Sequence, residues 1–179
     1  TQSVFEEKIA ALEGGEAAIA FASGTAAVSG LLFYLLEQGA HAVVDETSYS
    51  STHYLFSHTL KKFGVETTFV DTSDPSNVEE AIKPNTEIIY FESPANPTLK
   101  LVDIEKMAEI GKEHGILTAI DSTFATPCLQ NPLEYGVDIV IHSATKYICG
   151  HGDAMGGVLI GQDKELIDEI RDDTLKNMG

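Results

Sequence analysis

Short apolar runs recur along the chain, mostly without polar alternation, and stretches with helical spacing separate them. The runs are Ala17 to Ala22, His41 to Val44, Val65 to Val70, Glu87 to Phe91, Ile116 to Ile120, Val137 to Ile141 and Gly157 to Ile160. A strand with one wet face alternates apolar and polar residues, whereas one that is apolar throughout is covered on both faces. The pattern predicts an α/β fold: a mainly parallel sheet with helices on both faces and right-handed crossovers. The intervening segments agree. Val4, Phe5, Ile9 and Leu12 share a helical face that Gly14-Gly15 terminates, and a second helix starts near Gly24. Ser50, Ser51 and Thr52 offer N-caps for a helix reaching Phe63, and Asp74-Pro75 opens one that ends before Pro84. Asp103 caps a helix that turns Ile104, Met107, Ala108 and Gly111 inward, and an acidic amphipathic helix runs from Asp163 to about Met178.

A chain of 179 residues hides ~70% of its unfolded surface on folding, enough for one domain over residues 1–179. Its 11 basic and 28 acidic side chains give a net charge of −17, which repels phosphate backbones and anionic lipid heads. Neither nucleic acid nor membrane is an expected partner. Ala17 to Leu36 carries no charge and is long enough to span a bilayer. Its Ser23, Gly24, Thr25, Ser29 and Gly30, with Glu16 and Glu37 at its ends, predict instead a buried strand running into a buried helix. No signal peptide is expected from its opening residues. Cys128 and Cys149 have no CxxC spacing, so neither a disulfide framework nor a zinc site is expected, and the compartment reads as reducing and cytoplasmic.

In an open α/β sheet, ligands sit beyond the carboxyl ends of the strands. The first strand ends in Ser23-Gly24-Thr25-Ala26-Ala27, where small residues let a helix N-terminus approach an anion. It reads either as a close-packed turn or as a phosphate cradle. Because it matches neither GxGxxG nor GxxxxGK[ST], a phosphate-bearing cofactor other than a nucleotide suits it better. Asp121 follows a run of mostly apolar residues and reads as a turn residue or as the partner of a protonated ring nitrogen. Lys146 follows another such run among apolar neighbours. It reads as a snorkelling surface lysine or as a desolvated amine able to form an imine with a carbonyl. Ser143 and Thr145, on the other parity, offer hydroxyls to a phosphate, and Tyr49 offers an aromatic face after another strand end. Together these are the parts that pyridoxal 5'-phosphate (PLP) requires. His142, His151 and Asp153, or His53 and His58, match no metal-ligand spacing, so no metal is expected.

The sequence resembles the Cys/Met-metabolism PLP-dependent enzymes: cystathionine γ-lyase, methionine γ-lyase, cystathionine γ-synthase and O-acetylhomoserine sulfhydrylase. The matching segments are Leu12-Glu13-Gly14, Ala22 to Ala27, Glu92-Ser93-Pro94-Ala95-Asn96-Pro97, Asp121 to Pro127 and His142-Ser143-Ala144-Thr145-Lys146-Tyr147, in the family's order over essentially the whole chain.

The resemblance implies the fold-type I (aspartate aminotransferase-like) large domain, whose last strand runs antiparallel. It makes Lys146 the lysine that carries the cofactor and later shuttles a proton, and Asp121 the partner of the pyridinium nitrogen. Gly24 and Thr25 give backbone N–H groups to the phosphate, with Ser143 and Thr145 adding hydroxyls. Tyr49 stacks on the ring and serves the departing γ-substituent as acid or base, and Asn96 lies near the ring hydroxyl. The implied function is carbon–sulfur lysis, a γ-elimination on methionine, cystathionine or homocysteine. The alternatives are γ-replacement and, outside catalysis, an inactive scaffold of the same fold. Methionine γ-lyases commonly place a Cys shortly after the stacking Tyr, where this sequence reads Tyr49-Ser50-Ser51-Thr52. The implied assembly is a homo-oligomer, a dimer of dimers. Family members also carry a preceding segment that sends a Tyr and an Arg to the neighbour's phosphate site, and a C-terminal domain whose arginine grips the substrate carboxylate. The sole arginine here is Arg171, on the distal acidic helix, so these 179 residues alone are expected to be inactive.

Overall fold

The computed structural model describes residues 2–178. Seven strands form one sheet: β1 (Ala17–Phe21), β2 (His41–Asp45), β3 (Glu66–Val70), β4 (Thr86–Glu92), β5 (Leu117–Asp121), β6 (Ile139–His142) and β7 (Gly157–Gly161). Their spatial order is β1-β7-β6-β5-β4-β2-β3. Strands β2 to β6 pair in parallel, and β7 runs antiparallel to both β6 and β1, the direction expected for the last strand.

Both faces of the sheet are covered, which is why its strands read as unbroken apolar runs. Alternate residues of β4 show this: Ile88 and Tyr90 join a core with Ile19, Leu31, Phe56 and Ile167, while Ile89 and Phe91 join a second core with Ile9, Val78, Met107 and Ile110. The first core lies under α2 (Gly24–Leu35), the 50–63 segment and α7 (Lys164–Ile170); the second lies under α1 (Gln2–Glu13), α4 (Pro75–Ala81) and α5 (Ile104–His114). The uncharged Ala17-to-Leu36 run is β1 followed by α2. Among the described residues no helix is long and apolar enough to cross a membrane.

Several element ends follow the expected chemistry. Asp74, Asp103 and Asp163 each cap a helix by accepting from a backbone N–H in the first turn. Other features depart from expectation. The 50–63 segment is α3 (Ser50–Tyr54), then a π turn and a 3-10 turn, and its N-cap is Tyr49 rather than a serine or threonine. The loop leaving β2 is anchored by the Tyr49 N–H, which donates to Glu92 at 3.0 Å, so the helix begins at Ser50 and the hydroxyl residues fall inside its first turn. On α5, Ile110 is buried beside Met107, Ala108 and Gly111, while Ile104 is only partly covered. The closing helix runs on as expected from Asp163 to Met178, with a π-helical stretch over Arg171–Leu175 between α7 and α8 (Lys176–Met178), and a short α6 (Thr126–Leu129) follows β5.

Candidate active site

Because β1 and β2 to β6 all point the same way, their carboxyl ends deliver Ser23–Thr25, Tyr49, Glu92–Asn96, Asp121–Thr123 and Ser143–Lys146 to one edge of the sheet. The sequence-predicted site residues Gly24, Thr25, Tyr49, Asn96, Asp121, Ser143, Thr145 and Lys146 therefore share that edge, although they span most of the chain.

The α2 N-terminus is brought against the β6 exit by the absence of side chains. A Cβ on Gly24 would lie 2.8 Å from Ser143 Cβ and 3.0 Å from Ser143 Oγ, and a Cβ on Gly157 would lie 2.1 Å from the Ser23 carbonyl oxygen. Ser23 caps α2 by accepting from the Ala26 N–H at 3.1 Å. The first N–H groups of an α-helix have no acceptor within it, so those of Gly24 and Thr25 carry the helix's positive end toward the Ser143 hydroxyl. A cleft of about 330 Å³ opens beside this turn, lined by Thr25, Ser50, Tyr54 and Thr59.

Asp121 ends β5 half-buried, in register with Glu92 on β4 and Ile141 on β6. Burial pushes its pKa up; the opposing influences are the hydrogen bonds from Thr123 and the charge of His142. Thr123 donates to Asp121 Oδ1 from its N–H at 3.0 Å and from its hydroxyl at 2.5 Å, and the Thr123 hydroxyl also accepts from the Ser143 N–H at 2.8 Å. Thr123 thus ties the carboxylate to the turn that carries the lysine. Sequence reasoning assigned it no role, although an Asp followed two residues later by Thr is the spacing of an Asx turn.

Lys146 corrects an expectation. Rather than lying desolvated among apolar side chains, it is exposed. The cause is its place beyond β6, on a turn held by Lys146 N–H to Ser143 O, Cys149 N–H to Ala144 O and Gly150 N–H to Lys146 O, where none of the described residues buries the side chain. Tyr147 beside it is 64% exposed, so the apolar neighbours in sequence do not enclose the amine. Thr145 is part-buried, and its hydroxyl bridges the backbone of Gly156, accepting from the N–H at 3.1 Å and donating to the carbonyl at 3.2 Å. Tyr49 presents its ring at 43% exposure, and Asn96 is half-buried with its N–H donating to Glu92 at 3.0 Å.

Glu92 itself, 6% exposed, was another residue without an assigned role. Burial first, then the charges of Asp121 and Asp45, push its pKa up to about 7 against the hydrogen bonds from the Asn96 and Tyr49 N–H groups. Its signal in the sequence was the same as that of Asp121, a carboxylate directly after an apolar strand.

Of the histidines weighed for metal, His142 is fully buried and bonded through Nε2 to Glu13 at 2.5 Å, while His53 and His58 stack on Phe69 and Tyr54. Among the described residues, Cys149, His151 and Asp153 bring potential ligand atoms within 4.8 Å of one another, a grouping that joins a cysteine to two of the residues weighed by spacing. Arg171 is committed elsewhere: it forks onto Glu6 at 3.1 and 3.3 Å and donates to the Ala18 carbonyl at 2.7 Å.

The chain is similar to known proteins. The chain is 51% identical to an L-methionine gamma-lyase of Fusobacterium nucleatum over 179 residues, which is 99% of this chain and 45% of that protein. It is 50% identical over 166 residues to the cystathionine beta-lyase MetC of Bacillus subtilis, covering 93% of this chain and 42% of that one. The crystal structure of cystathionine gamma-lyase from Lactobacillus plantarum superposes with a TM-score of 0.92 at 43% identity, covering 94% of this chain and 44% of that chain. The chain thus spans less than half the length of these relatives. The family model for Cys/Met metabolism PLP-dependent enzymes matches residues 1–179, and the chain belongs to that family.

Proposed function

We propose that residues 1–179 are the cofactor-binding large domain of a PLP-dependent carbon–sulfur lyase acting by γ-elimination on a sulfur amino acid. The observation that carries this reading is the convergence at one sheet edge of an α-helix N-terminus, a half-buried carboxylate and a lysine, with Thr123 linking the last two elements.

The residues present fit PLP. Gly24 lacks the Cβ that would collide with Ser143, so the first backbone N–H groups of α2 lie close to the Ser143 hydroxyl, the kind of donor set that suits an anion. Asp121 carries a carboxylate whose ionised form burial disfavours, which is the setting in which a cationic ring nitrogen gains most from a partner. When bound, PLP supplies an aldehyde for amines and an electron sink for charge developing at the substrate α-carbon.

The chain's own groups then take these roles. Gly24 and Thr25 N–H groups with the Ser143 hydroxyl would bind the phosphate, and the Thr145 hydroxyl would join them on exchanging its bond to the Gly156 carbonyl. Asp121 would hold the ring nitrogen in its protonated form, and Thr123 orients its carboxylate. Tyr49 would offer its aromatic face to the ring and its hydroxyl as acid or base for the departing γ-sulfur. Asn96 would offer a polar group to the cofactor, and Lys146 Nζ would hold the cofactor and move the α-proton. The three relatives named above are lyases, which supports elimination over replacement. The domain is proposed to work in the cytoplasm within a homo-oligomer that completes the phosphate site.

Two measurements on the full-length protein test this. Borohydride reduction of the coloured protein followed by peptide mapping should place the label on Lys146; a label on another lysine overturns the site. Release of 2-oxobutyrate from methionine or cystathionine should proceed without an added thiol. Turnover only when a second nucleophile is supplied would assign replacement instead.

A further inference from the structure

Glu92 occupies a position that the roles above leave unexplained. Its side chain is all but sealed from solvent, and among the described residues no lysine or arginine pairs with it. The facing charges are both negative: Asp121 from β5 and Asp45 from β2. A carboxylate in such a place is costly, and an amide or an apolar residue of the same size would lower that cost. What the carboxylate does instead is specific. Oε2 accepts from the Tyr49 N–H and Oε1 accepts from the Asn96 N–H, each at 3.0 Å. Those two loops leave different strands, and the Asn96 loop contains two prolines, Pro94 and Pro97, whose nitrogens cannot donate.

We propose that Glu92 is a positioning residue: one oxygen pins the loop carrying Tyr49, the other pins the loop carrying Asn96, and so both ligand-facing groups are set relative to Asp121. This rests on the PLP reading for what the two loops face, but the clamp itself is a property of the protein alone. The chemistry requires a carboxylate. Two N–H donors converge on it, and an amide presents one acceptor oxygen and one NH2, which would confront the second N–H donor to donor. The clamp therefore gives a carboxylate a purpose at an electrostatically unfavourable place.

The test is Glu92→Gln in the full-length protein, first with the cofactor removed. Peptide-level hydrogen exchange should show faster exchange confined to the segments around Tyr49 and Asn96, by about tenfold at one or both, equivalent to ~1.4 kcal/mol at 25 °C. The Tm should stay level or rise, since an unfavourable charge has gone. On adding PLP, its Kd should rise by about the same factor and the visible circular dichroism of the bound ring should weaken. Unchanged exchange at both loops overturns the clamp. So does a lower Tm with protection lost across β4 and β5, which would give Glu92 a merely structural part. Failure of the PLP reading is separable: it appears in the parent protein as no label on Lys146, and leaves the exchange result untouched.

Discussion

Replacing Asp121 by Asn separates the charge of this side chain from its shape. In the cofactor-free protein the amide oxygen can still accept the 3.0 Å and 2.5 Å hydrogen bonds that Thr123 now gives to Oδ1, so the β5 exit keeps its geometry. What disappears is a charge whose pKa is raised by burial, against the restraining effect of Thr123 and His142. The sign follows from linkage. Below the ordinary value of 3.8 both folded and unfolded chains bind the proton; above it the unfolded chain releases its proton first, and the folded state loses stability as pH rises. The variant should therefore melt at a higher temperature than the parent at pH 7.5 and at nearly the same temperature near pH 3.5. Glu92, relieved of a negative neighbour, should titrate below its present value of about 7. Turnover should fall steeply, because an amide cannot hold the ring nitrogen protonated. Breaking a buried charge pair costs ~3 kcal/mol at the lower end of its range, or about a hundredfold in kcat. Oxo-acid release at saturating substrate measures that loss, and scanning calorimetry of the cofactor-free protein measures the stability. Turnover within about threefold of the parent, or a variant that is less stable at pH 7.5, would refute the reasoning.

Other substitutions probe the supports of the site. Gly24→Ala puts a methyl 2.8 Å from Ser143 Cβ, so it should cost ~1 to 3 kcal/mol in urea unfolding and raise the PLP Kd by about tenfold; unchanged affinity would show that the close approach is not needed. Glu13→Ala leaves His142 fully buried beside a void and should destabilise the protein by ~3 kcal/mol or more, measured by the same unfolding curves. Glu6 is desolvated, yet bonds from Arg171, Ala20 N–H and Gln2 hold its pKa below 4.5, so its contribution is present above that pH and lost as pH falls. Glu6→Gln should accordingly cost ~1.5 kcal/mol near pH 7 and progressively less as pH falls below 4.5, seen as converging melting curves.

Much of the fold was legible because it rests on short-range regularities. An unbroken apolar run such as Glu87 to Phe91 carries its own statement that both faces are covered, and Asp74, Asp103 and Asp163 announce helix starts because the capping contact lies within three residues. The strand-end rule then singled out Asp121, Ser143 and Lys146 without knowledge of strand order. The helical 50–63 segment was legible as far as Phe63, but its N-cap was not, because Tyr49 is held by a distant partner, Glu92, which takes its N–H.

The sequence by itself determined the seven strands and the main helices, put the candidate site residues at strand ends, and identified the family to which the chain belongs. Tertiary structure alone decided the contacts made across long separations. Glu13 meets His142 over 129 positions, Arg171 meets Glu6 over 165, and Thr123 reaches Ser143 over 20. It also reversed the expected burial of Lys146, because apolar neighbours in sequence enclose a side chain only if the chain folds back over it, and the turn after β6 holds this one at an open edge. Periodicity reports which face a residue takes within its own element. Solvent exclusion and hydrogen-bond partnership depend on which other elements arrive there, and that information belongs to the whole sheet order.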